Sequence, residues 1–374
     1  MDPKVIVIGG GIIGSSIARE LAGAGCRVTL LERDKVGSEA SSAAAGILCP
    51  QLEAESASPL LDLGLDSLAL FDDFVAALHR ETGIDPELDT GGTLLPDMTR
   101  DDAQASERIF RWQSGAQLPI ERLSAREIAG LESQLSENIL GGILFPKTRR
   151  VDPVALTRGL VLSARSRGVE IREGCPVVSL RFSGERVSGV VLASGQTLEA
   201  DTTVLASGAW SSALVPGVRV KVVPVRGQML VLETHRAPRR HVLVTPRAYL
   251  VFRRDGTVLV GSTTELAGFK KGVAPKAMMK LIASALALDP TLESAEFAGA
   301  WSGLRPGTSD GLPLLGPVSP GLVAATGHYR NGILLAPITA ALITEWILRG
   351  RTSRSLEPFS PLREPPAQRA EAAL

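Results

Sequence analysis

The chain has 374 residues, enough for two domains that each bury a core. Forty Lys plus Arg balance forty Asp plus Glu, so the net charge is zero and no basic stripe argues for nucleic acid as a partner. Hydrophobic residues at 44% and charged residues at 21% are those of an ordinary globular protein, not of a disordered or fibrous one.

The opening MDPKVIVIGGG leads straight into a strand at residues 5–8 and lacks the form of a signal peptide. That run is wholly apolar, as in a parallel strand covered on both faces. A helix is predicted over 13–21, ended by Gly23 and Gly25, and a second strand over 28–31 completes a βαβ unit. Gly9-x-Gly11-x-x-Gly14 sits between strand and helix, and Glu32 ends the second strand 23 residues after Gly9. Gly9 permits the tight turn, Gly11 lets backbone approach a pyrophosphate, and Gly14 lets helix and strand pack closely. The helix start at Ile12 and Ile13 offers unpaired N–H groups and partial positive charge to phosphates. Glu32, followed by Arg33, can accept from both ribose hydroxyls and disfavours a 2′-phosphate. These features specify a dinucleotide site without deciding between FAD and NAD.

ASSAAAGIL, from Ala40, is a small-residue segment suited to close contact with something flat. Helices are predicted over 59–80, 101–112 and 124–131. Asp152-Pro153 starts another, running to about 167, with a capping acid and proline at the first helical position. Strands follow near 169–172, 176–182, 187–192 and 204–206. Residues 221–233, 241–244, 249–253 and 258–261 read as an antiparallel meander, and 275–288 as a helix.

In WSGLRPGTSDGLPLLG, Arg305 precedes a Pro-Gly turn among small and apolar residues, where a guanidinium calls for an anion. A strand at 322–325 and a helix from 332 to about 349 follow. The apolar GILLAPITAALITEWIL contains Glu345 and falls short of the roughly 20 apolar residues of a span, so it reads as a buried helix. The tail from 353 is expected to be frayed. Cys26, Cys49 and Cys175 show no metal spacing, and their odd number fits a reducing, cytoplasmic setting. His79, His235 and His241 likewise form no metal pattern, and no metal is expected.

With βαβ patterns at both ends and antiparallel strands between, the expected fold class is α/β. A Rossmann-type dinucleotide domain (1–86, 147–217, 300–374) is joined by a second, mostly antiparallel α+β substrate domain (87–146, 218–299).

Taken together, GGGIIG, LLERD, ASSAAAGIL, VLASGAWS, GLRPGTSDGLPLLG and GHYRNGILLAP resemble the FAD-dependent D-amino-acid oxidase and sarcosine oxidase superfamily. The resemblance covers residues 5–349 and is strongest to the glycine-oxidising branch associated with thiamine synthesis. It implies non-covalent FAD, because no cysteine lies in the C-terminal flavin segments. Ser41, Ser42, Ala45, Gly46 and Ile47 would wrap the flavin side, Val177 would sit by the adenine, and Gly208 and Trp210 would follow a central strand beside the cofactor. His328, Tyr329, Arg330, Asn331, Gly332, Ile333 and Leu334 would approach the flavin pyrimidine ring.

By the same resemblance Arg305 would clamp the substrate carboxylate, Tyr249 would assist it, and Arg330 would lie beside flavin and substrate. The residues alone leave alternatives: an Arg305–Asp310 ion pair, core packing for Tyr249, and loop carbonyls for Arg330. The branch pattern is broken at Arg247, where a histidine is expected, and at Thr264, where a methionine is found. The implied reaction converts glycine, sarcosine or D-alanine to the imine, with oxygen reduced to hydrogen peroxide and the glycine imine available for thiazole synthesis. Two alternatives are a dehydrogenase of the same fold with a different electron acceptor, and a non-catalytic FAD-holding subunit. The implied partners are a small amino acid and oxygen, with a possible homo-oligomer, no nucleic acid and no membrane span.

Overall fold

The computed structural model describes residues 2–215 and 220–364. The chain begins with β1 (Lys4–Ile8), α1 (Ile12–Gly23), β2 (Arg27–Leu31), a short β3 (Ile47–Leu48) and the long α2 (Pro59–Thr82). Ser58 caps α2 by accepting from the Leu61 N–H, and Gly83 ends it in the left-handed conformation at φ 71°. Next come β4 (Thr93–Asp97), α3 (Arg100–Gly115), β5 (Glu121–Ser124), α4 (Ala125–Leu131), β6 (Gly141–Phe145) and β7 (Arg149–Arg150). Asp152 caps α5 (Pro153–Ser166) through the Val154 and Ala155 N–H groups, as the Asp-Pro pair predicts. The strands β8 (Glu170–Arg172), β9 (Val177–Ser183), β10 (Arg186–Leu192), β11 (Thr197–Glu199) and β12 (Thr202–Leu205) lead to α6 (Ser211–Leu214). The rest is β13 (Val223–Glu233), β14 (Val242–Val244), β15 (Tyr249–Phe252), β16 (Thr257–Gly261), α7 (Pro275–Leu288), β17 (Glu296–Gly307), β18 (Leu314–Ser319), β19 (Leu322–Thr326) and α8 (Gly332–Arg349).

Two large sheets organise these elements. The first has the order β18-β19-β12-β1-β2-β8, parallel except at its edge strand β18. This is the Rossmann-type sheet, with β1 at its centre and Val5, Val7, Leu30 and Val204 in its core. The second has the order β17-β13-β16-β15-β14-β4-β6-β5, antiparallel at every pairing except β14 with β4. A small antiparallel sheet, β11-β10-β9, covers the first. Helix α8 is apolar enough by length and composition to cross a membrane, yet 56% of it is buried inside the protein. Its Leu335, Leu342 and Ile343 pack with Ile17 and Leu21 of α1 and Leu63 and Phe71 of α2.

Four sequence expectations need correction. Strands β14, β15 and β16 form successive hairpins, but β13 pairs with β16 and not with β14. The start of β14 is drawn elsewhere: His241 donates its backbone N–H to Glu132 at 3.1 Å, its ring Nδ1 lies 2.8 Å from the same carboxylate, and β4 takes the free edge. Arg305 does not precede a turn, because β17 runs through Pro306 and Gly307, paired with Pro224 and Val223. β17 lies at the sheet edge, where a missing proline N–H costs no ladder bond. That strand also crosses the expected domain boundary at 299/300, while the boundary at 217/218 lies outside the described residues. Finally, residues 353–364 are not frayed. Phe359 is buried, and Arg363 binds Asp310 through two nitrogens at 2.7 and 2.8 Å. The remainder of the expected frayed tail, 365–374, lies outside the described residues.

Candidate active site

A cavity of about 530 Å³ lies between the two sheets. One end is built by the βαβ unit. Gly9, at φ +107°, passes so close to β12 that a Cβ there would meet the Ala206 carbonyl oxygen at 2.5 Å. A Cβ on Gly14 would fall 1.9 Å from the Gly9 oxygen, so helix and strand approach as the motif requires. The helix start opens into the cavity through Gly11, Ile12 and Ile13, with Ser41 Oγ accepting from the Ile12 N–H at 2.9 Å. Glu32 also lines the cavity; its carboxylate accepts from the N–H groups of Gly10 at 2.8 Å and Asp34 at 3.0 Å, which fixes its orientation.

The middle of the cavity is walled by small residues. Ala43, Ala44, Ala45, Gly46 and Ile47 line it on one side, and Gly208 and Trp210 on another. Arg253, on the second sheet, pins this wall by donating to Val151 O at 2.9 Å and Ala45 O at 3.0 Å. Arg33 stacks on the Trp210 ring at 3.7 Å from its centroid, and Glu39 holds Arg33 at 2.8 Å. Val177 borders the same space. A long, glycine-cradled cavity that begins at a helix N-terminus and a ribose-competent carboxylate fits a flavin dinucleotide.

The other end is rich in guanidinium groups. Arg305 reaches across β13 and donates from Nη1 to Thr263 O at 3.1 Å and from Nη2 to Ser262 Oγ at 2.6 Å. Both acceptors are neutral, and among the described residues no carboxylate sits within ion-pair distance of it. Asp310, the alternative partner, is taken by Arg363. Burial lowers the pKa of Arg305, with Arg330 acting in the same direction and Tyr249 against it. The group nonetheless stays charged, because arginine does not deprotonate in proteins. Tyr249 lies half-buried in the wall, its hydroxyl donating to Met229 Sδ at 3.2 Å, and its ring fits only because position 261 is glycine. Arg330 meets Glu53 at 2.7 Å and Thr264 Oγ1 at 2.8 Å, not loop carbonyls. Arg247 lines the same end and meets Asp102 of α3 at 3.1 Å. Although burial raises the Asp102 pKa, hydrogen bonds from Thr99 and Arg247 hold it below the usual carboxylate range.

His328, Tyr329, Asn331, Gly332 and Ile333 bring the N-terminus of α8 to this cavity. The His328 ring is buried, sits 3.1 Å from Thr339 Oγ1, and has its pKa pushed down by burial to about 3. It is therefore neutral.

Three expected site residues lie off the cavity wall. Gly14 serves packing between α1 and β1. Ser42 is exposed, its hydroxyl turned to the Glu39 carbonyl at 3.2 Å. Leu334 is buried in the core between α8 and α2. In a small-residue turn and at a helix start, alternate side chains face away from the cavity. Sequence reading also passed over Glu53, Asp102, Ser262, Thr263, Gly227 and Gly261. Of these only the glycines carried a signal, since glycine inside a strand marks a close approach. Among the described residues, no group of three or more His, Cys, Asp or Glu could hold a metal ion.

A family model described as FAD dependent oxidoreductase matches residues 4–346. Glycine oxidase of Geobacillus kaustophilus is 36% identical over 366 residues, covering 95% of this chain and 96% of that protein. The bifunctional protein ThiO/ThiG of Synechocystis is 38% identical over 368 residues, covering 96% of this chain but 54% of the longer protein. Among solved structures, that of the Geobacillus kaustophilus glycine oxidase superposes with a TM-score of 0.92 at 35% identity, covering 97% of this chain and 99% of that one.

Proposed function

Because this chain belongs to the FAD dependent oxidoreductase family, with residues 4–346 matching its model, we propose that it oxidises glycine and other small amino acids at the guanidinium-rich end of the cavity. The observation that carries this reading is Arg305: a half-buried cation on the cavity wall with neutral partners only. Two of its five N–H donors are used by Thr263 and Ser262, leaving three for a carboxylate, enough for a two-point grip. The Ser262 and Thr263 bonds hold the guanidinium plane, so the carboxylate it grips is oriented as well as bound. Tyr249, beside Arg305 in the wall, would assist the grip by turning its hydroxyl from Met229 Sδ to the carboxylate, and Arg330 closes the site next to it.

FAD, when bound, accepts the two electrons from the substrate and returns them to oxygen. Gly9, Gly11, Ile12, Ile13, Glu32 and Ser41 would hold its dinucleotide part, with Arg33, Val177 and Trp210 around them. The N-terminus of α8 lines the opposite end of the cavity, and its positive potential would favour negative charge on a reduced cofactor. His328, buried and neutral beside Thr339, adds no charge of its own there. The amine must be neutral to release its Cα hydrogen, and no side chain is assigned as a base. Glycine, oxygen and water thus give glyoxylate, ammonia and hydrogen peroxide, the imine being the first product. The fused ThiO/ThiG relative supports thiamine thiazole synthesis as the step that consumes this imine.

The test is a panel of glycine, sarcosine and D-alanine against the purified flavoprotein, scored for hydrogen peroxide. Peroxide formed with glycine supports an oxidase. Reduction of a dye without peroxide would favour a dehydrogenase, and flavin that no amine bleaches without oxygen would favour a non-catalytic subunit.

A further inference from the structure

Three guanidinium groups line the substrate end. Arg247, Arg305 and Arg330 line it against a single lining carboxylate there, Glu53, and Arg330 already takes Glu53. Arg305 awaits the substrate's α-carboxylate. Arg247 is only partly engaged. Its side chain is 51% exposed, and Asp102, which does not line the cavity, engages it through Nη1 alone. Arg247 stands in the turn between β14 and β15, and it lines the cavity together with Tyr249, the first residue of β15. A ligand gripped by Arg305 beside Tyr249 therefore shares its cavity with a second, half-exposed cation.

Resting on the amino-acid oxidase reading above, we propose that Arg247 is a specificity residue for a second carboxylate. The substrates best suited to this site are dicarboxylic amines, with one carboxylate on Arg305 and the other on Arg247. The second carboxylate can stand on the nitrogen substituent, as in iminodiacetate, or on the side chain, as in D-aspartate. The chemistry is unchanged. In iminodiacetate one Cα–H and the N–H are lost to form a C=N bond, and oxygen takes up the two electrons and two protons as hydrogen peroxide. Water then adds to the imine carbon and the C–N bond breaks, giving glyoxylate and glycine.

Two matched pairs test this: iminodiacetate against sarcosine, and D-aspartate against D-alanine, each differing by the second carboxylate. In at least one pair the dicarboxylate is expected to have a kcat/KM roughly tenfold above its partner. In Arg247→Ala that ratio falls roughly tenfold or more, and Arg247→Lys keeps part of it. Asp102→Asn, which removes the competing carboxylate, raises it. The proposal is overturned if both dicarboxylates are poorer than their partners in the wild type. It is equally overturned if Arg247→Ala and Asp102→Asn slow all four amines alike, since Arg247 would then only tie α3 to the sheet. Oxidation of sarcosine and D-alanine without any preference for a second carboxylate sinks this proposal alone. Failure of all four amines to bleach bound flavin without oxygen sinks the oxidase reading itself, and this proposal with it.

Discussion

The guanidinium of Arg305 lies flat over Gly227. A Cβ at position 227 would stand 2.2 Å from Nη1 and 2.5 Å from Cζ. Arg305 leaves β17, crosses the neighbouring strand β13 at its one glycine, and reaches the end of β16 at Ser262 and Thr263. Glycine is what lets a cation lie across a sheet in this way.

Gly227→Ala should therefore displace Arg305 without touching the dinucleotide end. Overpacking of this kind costs about 1–3 kcal/mol. If that cost falls on binding, KM for carboxylated amines rises roughly 5- to 150-fold, while bound FAD keeps its absorbance. A KM within about twofold of wild type would mean that the guanidinium is not confined by Gly227.

Arg305→Ala should remove the carboxylate grip. Truncating one partner of a buried charge pair costs about 2–5 kcal/mol, or roughly 30- to 5,000-fold in kcat/KM. Arg305→Lys should retain FAD yet raise KM for every carboxylated substrate, because a point charge cannot make the two-point contact. Steady-state kinetics on glycine would refute the assignment if Arg305→Ala left kcat/KM unchanged.

Burial pushes the pKa of His328 down to about 3, below the 6.5 of the unfolded chain. A depressed histidine contributes stability that is complete above pH 6.5 and is lost as pH falls toward 3, on the order of 1 kcal/mol per pH unit. Thermal melts across pH 7 to 4 should show Tm falling, and the fall should be shallower in His328→Gln. Parallel curves for the two proteins would assign the acid sensitivity to other groups.

Exchanging both departures from the branch pattern, Arg247→His with Thr264→Met, should move preference toward glycine. The first substitution removes the extra cation. The second removes the Thr264 oxygen that Arg330 binds at 2.8 Å and fills its space with a longer side chain. The ratio of kcat/KM for glycine over sarcosine is the readout, and an unchanged substrate profile would discard the idea.

Gly14→Ala should prevent cofactor retention altogether, since its Cβ would lie 1.9 Å from a backbone oxygen of Gly9 and neither backbone can move without parting β1 from α1. The protein should purify colourless even when FAD is supplied. A yellow, folded variant would contradict the packing role.

The βαβ start, the capped helices and the flavin-side loops were legible because their signals are local. Gly9, Gly14 and Glu32 declare their positions through spacing along one strand-turn-helix unit, and Asp152-Pro153 announces α5 within two residues. β17 was missed for the opposite reason. EFAGAWSGLRPG is rich in small residues and holds a proline, so it carries little strand propensity; its conformation comes from pairing with β13 along its length. The same holds within the site. Nothing near Arg330 in sequence names Glu53, 277 residues away, and nothing near Arg247 names Asp102, 145 residues away. Such partners are fixed by sheet order and register, which local patterns do not encode.

The cavity wall is stitched from both ends of the polypeptide: Ile8 and Gly9 of the first βαβ unit face Ala325, His328 and Ile333 near its finish. During synthesis on a ribosome, the central strand β1 would wait for β12, β19 and α8 before the pocket could close. Loading with flavin is thus an event of the nearly completed molecule, and a nascent chain stalled before α8 would emerge without its colour.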